Sequence, residues 1–120
     1  MAQNFQELLV WQRAMEMTVA VYELSRSFPR DELYGLTSQL RRAAVSVASN
    51  IAEGRGRLTQ GEFRQFLGLA QGSNYEVQTQ ILVAKQLSMG EPELLSKAES
   101  LSLETGKMLS GLIASLGAKS

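Results

Sequence analysis

Five arginines between residues 33 and 64 are the side chains best suited to chemistry, and that chemistry is ionic recognition. The planar guanidinium group of arginine forms paired hydrogen bonds with phosphate and carboxylate groups. The same segment contains only two carboxylates, Glu53 and Glu62, which leaves a local excess of three positive charges in a chain that is neutral as a whole. Any electrostatic contact with nucleic acid is therefore expected from this segment. The five residues are Arg41, Arg42, Arg55, Arg57 and Arg64.

Catalytic side chains other than carboxylates are scarce in this sequence. The chain has no histidine and no cysteine. It therefore lacks the usual general base at neutral pH, the ligands of most zinc sites and the Glu-x-x-His motif of di-iron bundles. Three carboxylates near the arginines, Glu53, Glu62 and Glu76, are scattered and not paired on one face. We predict a non-enzymatic protein with no catalytic residue, no cofactor and no metal.

The composition is typical of one folded domain, residues 1–120. Hydrophobic residues make up 44% of the chain and charged residues 20%, with only two prolines, as in folded helical proteins. The longest uncharged runs are shorter than the roughly 20 apolar residues that span a bilayer. Glu7 also lies where a signal peptide would need a basic or apolar region. We expect no membrane association and a cytoplasmic location.

Apolar residues recur at spacings of three and four along most of the chain, and no useful strand-like alternation occurs. This periodicity predicts four helices, near residues 5–28, 33–53, 59–89 and 92–116. The residues predicted to face the core are Val10, Ala14, Met17, Val21, Leu24 and Phe28 in the first helix, Leu33, Leu36, Leu40, Ala44, Val47 and Ile51 in the second, Phe63, Phe66, Leu67, Ala70, Val77, Ile81 and Ala84 in the third, and Leu94, Ala98, Leu101, Thr105, Met108, Leu112 and Leu116 in the fourth. Because the turns between them are short, consecutive helices should be antiparallel neighbours. The predicted fold is all-α, an antiparallel up-down-up-down four-helix bundle. The few residues after Gly117 are expected to fray.

The connection between the second and third helices carries the clearest local signals. Gly54 suits the left-handed position just past a helix end, which would place residues 55–57 in an exposed loop. Thr59 and Glu62 have the spacing of a capping box and predict the start of the third helix. The loop is not a phosphate-binding loop of the nucleotide-binding type, because the Lys-Ser/Thr pair that should follow is missing.

Small and polar residues interrupt the apolar stripes of the two middle helices. In the second helix they predict close packing, and they are Ala43, Ser46, Ala48, Ser49 and Ala52. In the third helix, Gly68 and Gly72 each cost about 1 kcal/mol relative to alanine, and Ser73 and Asn74 are polar. We expect a close helix crossing to offset that cost, with a local break at Gly72 and Ser73 as the alternative.

The five arginines have two interpretations, which the sequence leaves open. They can contact nucleic acid, or they can form ion pairs that hold helices or subunits in register. The second interpretation is favoured for Arg41 and Arg42, with Glu76 or Glu53 as the partner, and the first for Arg55 and Arg57. The predicted helix-packing or ion-pair residues are Gly68, Gly72, Ser73, Glu76 and Glu53.

The first helix has an apolar surface wider than one packing seam requires. Its inner stripe runs from Val10 to Phe28, and a second stripe lies beside it. The second stripe is either a broad core contact or the interface with another subunit. Its members, the candidate interface residues, are Leu8, Trp11, Met15 and Tyr22.

Several motifs of this chain occur in the same order in a known family. They are Phe28-Pro29, Tyr34-Gly35-Leu36, Gln39-Leu40-Arg41-Arg42-Ala43-Ala44, Asn50-Ile51-Ala52-Glu53-Gly54-Arg55-Gly56-Arg57, Phe63, Phe66-Leu67, Ala70, and Gly72-Ser73 with Glu76. In these motifs the sequence resembles the bacterial 23S rRNA intervening-sequence protein family. The match covers nearly the whole chain in order, although the fourth helix carries little signature of its own. That family is also described as four-helix bundle protein or as the S23 ribosomal protein type. The accessory protein of diversity-generating retroelements is similar to it.

The resemblance implies a four-helix bundle that assembles as a homopentamer and has no known enzymatic activity. It also implies a role with RNA or DNA, and a reverse transcriptase or another ribonucleoprotein component as partner. A ring of five subunits would turn a weak local charge excess into an arginine-bearing rim. The alternative function is a protein-protein adaptor or assembly scaffold that does not touch nucleic acid. Salt-dependent binding of RNA or DNA would separate the two.

Overall fold

A computed structural model of the chain describes residues 4–118 and contains helices and turns but no strand within that range. A short 3-10 turn, Phe5–Glu7, precedes the first long helix. The four long helices are α1 (Leu9–Ser25), α2 (Ser38–Arg55), α3 (Gln60–Gln86) and α4 (Pro92–Ala118). The end predicted to fray begins with Ala118, which is still helical, and residues 119–120 lie outside the described range.

The helices form the predicted four-helix bundle. Each long helix packs against two neighbours, in the pairs α1 with α2, α2 with α3, α3 with α4, and α4 with α1. This leaves α1 diagonally opposite α3. The connections are short, so consecutive helices run in opposite directions. The molecule is a rod of 45 × 21 × 20 Å, with one end formed by the α2–α3 loop and the opposite end formed by the α1–α2 and α3–α4 connections.

The first two helices are shorter than predicted because the chain leaves regular α-geometry at each end. Leu8 is extended and separates the first 3-10 turn from α1. At the other end, α1 stops at Ser25, and Phe28 donates its backbone N–H to Ser25 in a turn before Pro29. Residues 33–37 form a π-helical turn that contains non-helical Gly35, and the Glu32 side chain accepts from the N–H of Leu36.

The third helix ends at Gln86, three residues before the predicted end, and a loop of positive-φ residues follows. Ser88 has φ 56° and Gly90 has φ 85°. A Cβ atom at Gly90 would lie 2.6 Å from Cδ1 of Leu24 and 3.0 Å from Cε1 of Phe28. Glycine is therefore required at position 90 both by the backbone conformation and by the packing of this loop on α1.

Most of the residues in the predicted stripes of α1 to α3 are buried. Leu36, Phe63 and Phe66 are only partly buried, and Leu33 is 50% exposed on the π-helical turn.

In α4 the prediction was right at Ala98 and Thr105, which are fully buried, and wrong by one position elsewhere before Leu112. The residues predicted to face the core included Leu94, Leu101 and Met108, and these lie at its edge. The buried stripe of α4 is Leu95, Ala98, Ser102, Thr105 and Leu109.

Candidate functional site

The end of the bundle that carries the α2–α3 loop is built on a very close helix contact. Gly54 is buried within the last turn of α2, and a Cβ atom there would lie 2.6 Å from Cβ of Phe66. Gly54 is thus not the left-handed residue past the helix end that the sequence suggested, since α2 continues to Arg55. The close contact, not a special backbone angle, explains the glycine. It brings the end of α2 onto the first turns of α3.

Two arginines at this end lie over phenylalanine rings of α3. Cζ of Arg57 is 4.6 Å from the ring centroid of Phe66, and Cζ of Arg55 is 5.7 Å from that of Phe63. Nη2 of Arg57 also lies 3.4 Å from Oε2 of Glu53, one helical turn earlier. Cation–π contact and the ion pair therefore restrict Arg57, while 42% of its side-chain surface remains exposed.

The third arginine at this end, Arg64, is held against the end of α4. Its Nε donates to the carbonyl oxygen of Ile113 at 3.1 Å. A Cβ atom at Gly117 would lie 2.9 Å from Nη2 of Arg64, so the guanidinium group rests directly on the last turns of α4. A positive charge there is favourable at the negative end of the helix dipole. Arg64 thus stabilises the end of α4, in addition to the contact with nucleic acid that was predicted for it.

A shallow depression of about 530 Å³ lies between these groups. Its surface is mixed, with guanidinium groups, an aromatic ring and aliphatic side chains. Leu58, at its edge, is 97% exposed. The lining residues are Leu8, Arg55, Arg57, Leu58, Thr59, Gln60, Phe63 and Leu116.

At the start of α3, the Glu62 carboxylate belongs to the helix cap. Thr59 caps the helix as predicted, since its Oγ1 accepts from the N–H of Glu62 at 3.1 Å. The same hydroxyl donates to Oε1 of Glu62 at 3.2 Å. The Glu62 carboxylate is thereby held at the helix N-terminus, where the dipole favours negative charge, and is not paired with an arginine of the loop.

Arg41 and Arg42 are not part of this end. They lie in the first turn of α2, about 20 Å from Arg55 along the helix axis at 1.5 Å per residue. Arg41 is held inside the chain, as predicted, but by α1 and not by a carboxylate. Its Nε donates to Oγ of Ser25 at 2.7 Å, and its Cζ lies 4.7 Å from the ring centroid of Tyr22.

Arg42 is exposed and forms no ion pair or hydrogen bond within residues 4–118. It lines a small polar cleft of about 130 Å³ between α2 and α3, together with Gln39, Ser46, Glu76 and Gln80. Glu76 shares this cleft, but the predicted ion pair with Arg41 or Arg42 is not formed. Ser73 does connect helices, because its hydroxyl is 2.9 Å from that of Ser46 on α2.

The two glycines of α3 do not have the predicted role within this chain. The helix is continuous from Gln60 to Gln86, so there is no break at Gly72. A Cβ atom at Gly68 or Gly72 would meet nothing within 4 Å. Both residues are exposed, and no helix of the same chain crosses them closely.

The four candidate interface residues lie at the edge of the core. Leu8 and Trp11 are partly buried, whereas Met15 and Tyr22 are 38% and 39% exposed. Trp11 and Met15 border an apolar groove of about 330 Å³ between α1 and α2. The ring of Phe5 packs edge-on against that of Trp11 at 5.3 Å. The other residues along the groove are Thr18, Val45, Ala48, Ser49 and Ala52.

Neither a metal site nor a membrane span is found in the described part of the chain. No three or more acidic side chains between residues 4 and 118 are grouped so that they could hold a metal ion. No helix in the same range has the length and hydrophobicity needed to cross a membrane.

Over residues 6–111 the sequence matches the family described as 23S rRNA-intervening sequence protein. The chain belongs to this family. Its resemblance to that family in the sequence motifs is thereby confirmed, and no curated protein matches the chain.

A solved structure has the same fold. It is the crystal structure of a protein with unknown function of the S23 ribosomal protein family, from Bacteroides thetaiotaomicron VPI-5482. The TM-score is 0.78 at 20% sequence identity, over 88% of this chain and 98% of that chain. At this identity the similarity shows a shared fold and nothing further.

Within the 23S rRNA-intervening sequence protein fold, sequence reasoning missed the aromatic partners of the arginines. Phe63 and Phe66 were assigned to the core, yet both are only partly buried and lie beneath Arg55 and Arg57. Their spacing gave a usable signal, because an arginine pair just before a helix start meets the aromatic residues of its first two turns. The register of that contact follows from the close approach at Gly54.

Proposed function

We propose that the chain is a non-enzymatic, oligomeric helical bundle that binds RNA or DNA through an arginine-bearing rim in the bacterial cytoplasm. The observation that supports this most is the arrangement at the α2–α3 end. Arg55 and Arg57 lie together beside an open depression. Within residues 4–118, the carboxylate that forms an ion pair with this arginine pair is Glu53, which contacts Arg57.

The rim consists of Arg55 and Arg57, with Arg64 as a fixed neighbouring charge. Arg64 contributes to the electrostatic potential, but its hydrogen bond to Ile113 limits how far its guanidinium can reach. Arg42 is exposed and is available as an additional phosphate contact on the side of the bundle. Arg41 is the weakest of the five candidates, since its contacts with Ser25 and Tyr22 occupy the side chain.

Whether so few charges are enough to bind nucleic acid depends on how many subunits contribute them. For a protein that makes two phosphate contacts, raising the salt from roughly 50 to 200 mM lowers the affinity for duplex DNA only about tenfold. For a protein that makes 6–10 contacts, the same increase in salt lowers the affinity by roughly 10³–10⁵. A homopentamer, the assembly implied by the resemblance, presents two rim arginines from each subunit. Binding to one long nucleic acid then engages several subunits at once.

The first experiment measures the binding of RNA and DNA as salt is increased. We expect binding at about 50 mM salt and a loss steeper than two contacts allow, as for a multivalent rim. The Arg55→Ala/Arg57→Ala variant should bind more weakly and show a smaller salt dependence. Its melting temperature should change little, since Arg57 is exposed and Arg55 is only partly buried. The control is Arg26→Ala/Arg30→Ala, which removes two exposed arginines from the opposite end of the bundle.

Absence of any binding at about 50 mM salt would exclude the nucleic-acid function. Unfolding of the Arg55→Ala/Arg57→Ala variant would assign both residues to the fold instead.

The second candidate is a protein-protein adaptor or scaffold, for which the apolar groove beside Trp11 and Met15 is the specific observation. In that case the groove forms the oligomer and the rim recruits a protein such as a reverse transcriptase or another ribonucleoprotein component. Co-purification with that component after nuclease treatment would favour the adaptor. Loss of the complex on nuclease treatment would favour direct binding of nucleic acid.

A further inference from the structure

The contacts of Arg55 and Arg57 restrict these side chains in a way that simple phosphate binding does not require. A free arginine extends into solvent and forms bidentate hydrogen bonds with a phosphate. Here the Cζ atoms of Arg57 and Arg55 lie 4.6 and 5.7 Å from the ring centroids of Phe66 and Phe63. Each guanidinium group is therefore in cation–π contact with a ring.

The Arg57 side chain is also accessible to a ligand, since 42% of its surface is exposed. A flat cationic group that lies beside an aromatic ring and is accessible to solvent is a surface on which another planar group can stack. Nucleobases that are not paired in a duplex are recognised in this way, on aromatic rings and on guanidinium planes.

The surroundings of the two arginines have the mixed character that an unpaired base requires. The depression of about 530 Å³ is bordered by the ring of Phe63 and by Leu58, which is 97% exposed. Thr59 and Gln60 supply polar groups on the same surface. The apolar and planar groups that would contact a base thus border the same depression as the arginines that would contact its phosphate.

We infer that the α2–α3 end binds single-stranded nucleic acid, with unpaired bases stacked against Arg55 and Arg57, a specificity that rests on the proposed function. A duplex is disfavoured by the same geometry. Bases of a duplex are stacked on each other, and their edges are read by a helix or ribbon that enters a groove. At this end of the bundle the prominent element is a short loop.

The test compares three fluorescently labelled ligands of equal length at about 50 mM salt. They are an oligothymidylate, an abasic strand with the same phosphates, and a duplex. Fluorescence anisotropy gives the dissociation constants. We expect the oligothymidylate to bind more tightly than the abasic strand, by roughly five- to 150-fold for each stacked base, and more tightly than the duplex.

The variant that isolates stacking is Arg55→Lys/Arg57→Lys. Lysine keeps the charge but has no planar group. We expect the affinity for oligothymidylate to fall by at least about fivefold, with an unchanged affinity for the abasic strand and an unchanged salt dependence. The matched control is Arg26→Lys/Arg30→Lys, at the opposite end of the bundle, which should leave all three affinities unchanged.

The outcomes distinguish a failure of base stacking from a failure of the proposed nucleic-acid binding. Equal affinities of the unmodified protein for the oligothymidylate and the abasic strand would overturn base stacking and leave the electrostatic function standing. Tighter binding of the duplex would overturn the preference for single strands. No binding of any of the three ligands would overturn the proposed function itself. The comparison of ligands uses the unmodified chain, so it holds even if a variant fails to fold.

Discussion

At the scale of single residues, neighbouring arginines have different surroundings. Arg41 donates to Ser25 at 2.7 Å and stacks on Tyr22, whereas Arg42, next in sequence, is exposed. The difference comes from the helix, since successive residues point about 100° apart and only one of the two can face α1. A motif of two arginines therefore combines a structural residue with a surface residue.

We predict that Arg41→Ala lowers the free energy of unfolding by about 1–3 kcal/mol, because it removes a charged hydrogen bond and a cation–π contact. Arg42→Ala is the matched control and should change it by less than about 0.5 kcal/mol. Urea denaturation followed by circular dichroism measures both. Equal effects of the two substitutions would contradict the division of roles.

Replacing glycine by alanine should lower the stability of the protein at the α2–α3 contact and raise it on the outer face of α3. Gly54→Ala places a methyl group 2.6 Å from Cβ of Phe66. Relieving that overlap requires a shift of α2 against α3, which should cost about 1–3 kcal/mol of unfolding free energy.

Gly72→Ala is the control for this substitution, since nothing lies within 4 Å of the new Cβ atom. It should stabilise the chain by up to about 1 kcal/mol through helix propensity. Thermal unfolding of both variants measures the difference. A loss of stability in Gly72→Ala would show that this face of α3 is covered in the assembled protein.

At the scale of elements, the orientation of α4 is determined by polar groups inside the core. Asn74 of α3 is fully buried, and its Nδ2 donates to the carbonyl oxygen of Ser102 at 2.9 Å. The hydroxyl of Ser102 donates back to Oδ1 of Asn74 at 2.9 Å. Gly106, one turn further, allows α4 to pass close to these groups, since a Cβ atom there would lie 3.1 Å from Nδ2 of Asn74.

The hydrogen-bonded pair of Asn74 and Ser102 explains why the buried stripe of α4 differs from the predicted one. Apolar spacing alone favoured Leu94, Leu101 and Met108, but a buried asparagine needs hydrogen-bonding partners. Turning Ser102 inward supplies these partners and moves those three apolar residues to the edge of the core.

We predict that Ser102→Ala lowers the free energy of unfolding by about 1–3 kcal/mol, because Oδ1 of Asn74 loses its buried donor. The Asn74→Leu/Ser102→Ala double variant should cost less than the sum of the two single changes. Chemical denaturation of all four proteins completes the cycle and should give a coupling of about 0.5–3 kcal/mol. Additive effects would show that the two side chains act independently.

At the scale of the whole molecule, the remaining question is which surfaces are covered by other subunits. Exposed apolar side chains occur on several faces, including Met15, Val19 and Leu69. A closed ring of more than two subunits joins two different surfaces of each chain. The Trp11 groove and the outer face of α3, on diagonally opposite helices, would suit such an arrangement.

We predict a mass near five times 13.2 kDa in light scattering. Met15→Glu should reduce that mass, because it places a charge in the apolar groove. Met15→Leu, a swap of similar volume, is the control and should leave the mass unchanged. Circular dichroism should show the same helix content in all three proteins. A monomeric unmodified protein would remove the ring and, with it, the multivalent rim.

The sequence by itself determined the helical class, the number of helices, the core stripes of α1 to α3 and the family. These features depend on residues a few positions apart, where the helix period of 3.6 acts directly on the pattern of apolar side chains. The turn residues that separate the helices act over equally short distances. The surplus of arginine near the α2–α3 loop was likewise visible from composition.

The tertiary structure alone decided which arginine meets which partner and how α4 is rotated. Arg41 meets Ser25, 16 residues away, and Gln71 of α3 meets Ser110 of α4, 39 residues away. Such contacts depend on how helices rotate and slide against one another, which close packing and buried hydrogen bonds settle together. For the same reason, the sequence located the rim arginines, but only packing placed Arg55 and Arg57 on the rings of Phe63 and Phe66.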